Sequence, residues 1–117
     1  MTPFNISRDV NGYNGFGLPF SDTNFSATLT NLTVESLVIP GVAQTQNFIA
    51  IFSFQPGTNV WVANNHTAAV PVGATLAATN SILNPTARIV KYGDTLSFIT
   101  DSATADISVA LYAMKVT

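Results

Sequence analysis

The side chains that could do chemistry are few and stand apart. His66 is the single histidine, and cysteine is absent. With one imidazole, no His-based metal cluster can form and no second imidazole can alternate as acid and base. The lack of thiols excludes thiolate nucleophiles, thiolate metal sites and disulfides together. His66 lies in Asn64-Asn65-His66-Thr67, which reads as a loop, so a solvated histidine is expected there. The carboxylates Asp9, Asp22, Glu35, Asp94, Asp101 and Asp106 are scattered singly, mostly at turns, where an Asp side chain bonds its own backbone. Asp101 and Asp106 bracket Ser102-Ala103-Thr104-Ala105 without the spacing of an EF-hand loop. Glycosidase chemistry would need two of these carboxylates to meet across a cleft, and the chain has no obvious cleft builder. We therefore assign no catalytic residue, cofactor or metal ligand, and expect a protein that is not an enzyme.

Charge bounds the partners. Only 9 % of residues are Asp, Glu, Lys or Arg, 47 % are hydrophobic, and the formal net charge is −2. An ordinary soluble domain carries about a quarter charged residues. The cations are Arg8, Arg88, Lys91 and Lys115, too few to displace counterions from nucleic acid. Gly12, Gly15 and Gly17 form no phosphate loop, because no lysine follows and no strand-to-helix switch surrounds them. Sequons at Asn5, Asn24, Asn31 and Asn65 are what a chain rich in Asn, Ser and Thr produces by chance. Residues 1–21 hold Arg8, Asp9 and two Asn-Gly pairs without a continuous apolar stretch, so they read as neither signal peptide nor anchor, and the mature chain is expected to begin here. The longest strongly apolar run, residues 48–54, is far shorter than the roughly 20 residues a membrane helix needs. Neither nucleic acid nor membrane is an expected partner.

The punctuation is that of an all-β domain. Pro40-Gly41, Pro56-Gly57, Asn64-Asn65, Val72-Gly73, Asn84-Pro85 and Gly93-Asp94 leave little room for helices. Between them, β-branched and aromatic enrichment predicts strands at 24–33, 34–39, 47–55, 59–64, 67–71, 87–92, 95–100 and 107–116. Residues 75–83 fit a helical turn or a loop equally. Gln55-Pro56-Gly57-Thr58 has the proline and glycine of a type II turn and is expected to join its flanking strands as a hairpin. Residues 25–117 are thus expected to form one antiparallel β-sandwich and residues 1–24 an extended N-terminal arm.

The two faces of the strands are less distinct than in a simple sandwich. Residues 47–55 place Phe48, Ala50, Phe52 and Phe54 on one face and Ile49 and Ile51 on the other; residues 107–116 place Ile107, Val109, Leu111 and Ala113 opposite Ala110, Tyr112, Met114 and Val116. Such strands call for a second apolar contact, which a symmetric homo-oligomer or a covering loop would supply. Trp61, the only tryptophan, is expected in the core; exposed, it would serve with Tyr92 or Tyr112 as an interface anchor or sugar-stacking platform. Tyr13, Phe16 and Phe20 stand among Asn, Gly and Pro, the composition of an arm that orders against a partner or against its own domain.

Gly17-Leu18-Pro19-Phe20-Ser21-Asp22, the stretch Phe52 to Ala63, Leu83-Asn84-Pro85 and the stretch Gly93 to Thr100 resemble small β-rich structural proteins of tailed bacteriophages. The resemblance implies a jelly-roll-like capsid decoration or cement protein on the outer surface of the virion. It also implies the major capsid protein as partner and a homo-oligomer, trimer before dimer, with no catalytic residues. Tyr13, Phe16 and Phe20 would then be the capsid-contact residues of the arm. Two other readings are a carbohydrate-binding β-sandwich of a phage fibre or tail, using Trp61 or Tyr112, and a small hydrolase built on His66 or paired carboxylates.

Overall fold

Alternation along each strand decides which side chains enter the core. In Asn47–Phe54, Phe48, Ala50 and Phe52 are buried while Ile49 and Ile51 on the other face are only half-buried, as a period of two requires. The computed structural model describes residues 2–4, 10–11, 18–41 and 47–114. Its strands are β1 (Asn24–Thr30), β2 (Glu35–Val38), β3 (Asn47–Phe54), β4 (Val60–Asn64), β5 (Ile82–Leu83), β6 (Ala87–Lys91), β7 (Thr95–Thr100) and β8 (Thr104–Ala113). They form two antiparallel four-stranded sheets, β1-β8-β3-β6 and β2-β7-β4-β5, so the fold is an all-β sandwich.

The pairing follows a simple rule. β1 pairs with β8, β2 with β7, β3 with β6 and β4 with β5, all antiparallel. The chain is laid out as one long hairpin with β4 and β5 at its tip, rolled into two layers and closed by β3 against β8 and β4 against β7. Phe52 joins the layers: its ring lies 6.2 Å from Phe98 of the opposite sheet, tilted by 62°. Around it Leu29, Phe48, Val60, Leu96, Val109 and Leu111 are buried, each worth about 1.5–3 kcal/mol relative to exposure.

Two expectations are corrected here. The turn at residues 55–58 forms, with Gly57 at φ +81° and the Thr58 N–H on the Gln55 carbonyl at 3.3 Å, but it does not make a hairpin. Both neighbours of β3 are taken by β6 and β8, and Gln55 is still bound to β8 through its N–H on the Asp106 carbonyl at 2.8 Å. The turn therefore carries the chain across to the other sheet. Residues 67–71 form no strand, because side-chain hydroxyls take their backbone donors: Ala68 N–H bonds Ser97 Oγ at 2.9 Å and Ala69 N–H bonds Ser81 Oγ at 3.1 Å. The short β5, Ile82–Leu83, forms instead at the end of the 75–83 segment that fitted helix or loop equally.

Candidate interaction surface

Asp94 shows what the carboxylates do in this molecule. Its backbone N–H bonds the Lys91 carbonyl at 3.1 Å across a turn in which Gly93 takes φ +83°, the left-handed conformation that glycine accepts most readily. Its carboxylate accepts the Lys91 N–H at 2.9 Å and the side-chain amides of Asn65 and Asn64 at 3.1 and 3.3 Å. Burial pushes this carboxyl up, but those donors and the Lys91 charge outweigh it and hold the pKa below the ordinary value. Asp22 is lowered by the Thr23 hydroxyl and the Thr2 N–H, which it accepts at 3.0 and 2.9 Å. Asp106 accepts the Thr28 hydroxyl at 2.7 Å across the β1–β8 pair. These carboxylates tie backbone and strands together.

His66 is exposed, on the rim of a hollow of about 320 Å³ with Val34, Ser36 and Thr95. Among the described residues no hydrogen bond joins it to a carboxylate, and no three His, Cys, Asp or Glu side chains converge. Asp101 is exposed at the β7–β8 turn, where its carbonyl accepts the Asn31 side-chain amide at 2.9 Å.

Of the three aromatics that could have been platforms, Tyr92 is half-buried against the main core and Trp61 and Tyr112 are covered. Trp61 is 9 % exposed and packs with Ala63, Ala68 and Ile99, with Val70 against them. This second cluster lies on the outer side of the β2-β7-β4-β5 sheet, beneath the β4–β5 connection. Tyr112 is 5 % exposed; its hydroxyl donates to the Pro19 carbonyl at 2.6 Å, and Phe4 meets its ring edge-on at 6.1 Å. The chain around it is fixed to β8 by the Leu111 N–H on the Thr23 carbonyl at 3.0 Å, the Ala113 N–H on Thr2 at 2.8 Å and the Phe4 N–H on Ala113 at 2.8 Å. So residues 2–4 and 18–23 lie on their own domain, and Phe20, 99 % exposed, projects from them. Tyr13 and Phe16 lie outside the described residues.

No family model, curated protein or solved structure matches the chain. The surface must therefore be read from its own geometry.

On the outer side of the β1-β8-β3-β6 sheet, the register arranges side chains in rows. Ile89, Ile49 and Tyr112 form one row, and Ala87, Ile51 and Ala110 the next. Beyond them come Ser53, Ser108 and Ser26, then Asp106 with Thr28. These hydroxyl rows border a shallow depression of about 500 Å³. An apolar half and a hydroxyl half thus share one face, with Ile89 63 % exposed at its rim. Ile89 was not singled out from the sequence. The signal was the alternation in Ala-Arg-Ile-Val-Lys, which puts Ile89 opposite the buried Val90.

Proposed function

We propose that the chain is a structural virion protein, a decoration or cement protein on the outer surface of a tailed-phage head. The major capsid protein is its partner, and it works as a homo-oligomer, a trimer before a dimer. The observation that carries this reading is the outer face of the β1-β8-β3-β6 sheet, where apolar rows around Ile49, Ile51 and Ile89 adjoin a row of serines and then Thr28 bonded to Asp106. Such a face suits protein contact: apolar at one end and hydrogen-bonding at the other, where the one carboxylate, Asp106, is engaged by Thr28. We read the strand order β1-β8-β3-β6 over β2-β7-β4-β5 as a jelly roll, an architecture found in viral capsid and lectin domains. The lectin side of that pair is less favoured, because Trp61 and Tyr112 are buried beneath their own chain.

Phe20 supports a tethering role for residues 1–24, since its neighbours are fixed to β8 while its ring faces solvent. The test is cosedimentation of the purified chain with phage particles lacking it, for the natural chain and for Phe20→Ala. A high, fixed ratio to the shell protein, reduced by Phe20→Ala, is expected. A few copies per particle would point to a tail or fibre part, and no binding would overturn the virion reading.

A further inference from the structure

The large aliphatic side chains left exposed are not spread evenly. Among the described residues, apart from those near the N-terminus and in the β4–β5 connection, they are Leu32, Val34 and Val38 on one side and Ile82, Leu83 and Ile89 on the other. The first three belong to β2 or to the connection leading into it, on the side where β1 and β2 end their sheets. The others belong to β5 and β6, which end the two sheets on the opposite side. At both sides the sandwich stays open between its layers. A cleft of about 190 Å³ between β1 and β2 reaches Phe25, Leu37 and Phe98. A second, of about 240 Å³ between β5 and β6, reaches Phe52, Val62 and Leu96.

Charge divides along the same line. Glu35 shares a face of β2 with Leu37 and lines the first cleft. Arg88 shares a face of β6 with Val90 and lines the second. Both Lys and Arg side chains among the described residues, Arg88 and Lys91, are on β6. On the β1 side stand Asp106, bonded to Thr28, and Asp101, whose carbonyl holds Asn31. Asp94 is the exception, and its carboxylate is already engaged beside Lys91. Among the described residues the Arg88 guanidinium donates to the carbonyl of its neighbour Ala87 at 2.7 Å and to no other group.

We propose that the β1/β2 side of one copy packs against the β5/β6 side of another, with Glu35 of one meeting Arg88 of the next, the two clefts facing each other and Ile82 and Ile89, which line the second, covered by the contact. This rests on the self-association part of the preceding reading and is independent of the particle. A contact between two different surfaces of one chain is heterologous, and repeats until the rotation closes a ring. Charges turned inward at sheet edges deter indiscriminate strand pairing, so a complementary edge is selected while a like-charged one is rejected. Their main contribution is to register and choice of partner, with the affinity coming from the aliphatic area covered.

Sedimentation velocity of the full chain, from micromolar to millimolar, tests this. The natural chain is expected to associate with concentration. Glu35→Arg sets Arg against Arg where the two sides meet and Arg88→Glu sets Glu against Glu, so each alone is expected to weaken association by about tenfold or more. The double variant restores opposite sides and should recover to within about threefold. A mixture of the two single variants should associate where neither does alone. Both residues are exposed, so circular dichroism should show all variants folded. A natural chain that stays monomeric, single variants that associate normally, or a folded double variant that stays weak would overturn the proposal. Cosedimentation of the same variants with particles separates this outcome from the virion reading: single variants that do not self-associate but bind particles leave that reading standing.

Discussion

The outer faces of the two sheets start from similar sequence and end differently. Val60-Trp61-Val62-Ala63 in β4 and Phe48-Ile49-Ala50-Ile51 in β3 are both apolar on both sides. On β4 the second face is covered by the chain itself, with Trp61, Ala63 and Ile99 under Ala68 and Val70. On β3 and its neighbours the cover reaches Tyr112 through Pro19 and Phe4, while Ile49 and Ile51 are half-buried and Ile89 is largely exposed. Two-sided apolarity therefore states a demand for cover without saying who supplies it. The local difference is a loop: Ser97 of β7 accepts the Ala68 N–H and fastens the β4–β5 connection over its sheet, and Ser81, at the end of that connection, accepts the Ala69 N–H and closes it on itself.

The largest effect should come from removing the anchor of the covered face. Trp61→Ala empties the centre of the second cluster, and a buried aromatic truncated to alanine costs about 3–5 kcal/mol. Urea unfolding should show that loss, together with faster amide exchange at Ala68 and Ala69, whose N–H groups depend on the loop staying in place. A cost near that of an ordinary surface substitution would mean that the loop is held by its hydroxyl bonds alone.

Much of the fold was legible in the sequence because it is local. The strand at 95–100 has the predicted limits, the sandwich follows from the spacing of turn residues, and Gly57 takes the positive φ its turn requires. What was hidden is nonlocal. The Gln55-Pro56-Gly57-Thr58 turn has one sequence signature whether the chain returns beside itself or crosses to the other layer; β8 bonding to Gln55 decides the matter from far along the chain. Residues 67–71 have the composition of a strand, yet Ser97 and Ser81 take two of their donors. With only Ile82 and Leu83, β5 is too short to carry a period. The candidate surface was half visible in the same way: alternation assigns Ile49 and Ile51 to the second face, while the row they form with Ile89 exists only through the β3–β6 register.

The partial cover over Tyr112 allows a smaller and more local test. Tyr112→Phe keeps the ring against Phe4 and deletes the hydroxyl bond to the Pro19 carbonyl. Because Pro19 is exposed, water can replace the lost donor, and the cost should be about 1 kcal/mol. Amide exchange should quicken at Phe4 and Ala113, whose N–H groups hold the N-terminal residues to β8, and stay unchanged at Ala68. Quickening at both places would show that the two covers are coupled through the sandwich and are not independent additions to it.

The smallest stability effect is expected on the open part of the face, and there it is the smallness that informs. Ile89→Thr keeps a β-branched residue on an edge strand and shortens a side chain that is 63 % exposed, so the monomer's unfolding free energy should shift by no more than about 0.5 kcal/mol. Unfolding is best measured at low protein concentration, where self-association does not contribute. A loss approaching that of Trp61→Ala would mean that the chain covers Ile89 as it covers Trp61, and the contrast between the two faces would fail. A neutral result, with a weaker concentration dependence of sedimentation, would place the cost of the substitution in contact between molecules, because a residue that stabilises nothing within its own fold can reveal its value only against another surface.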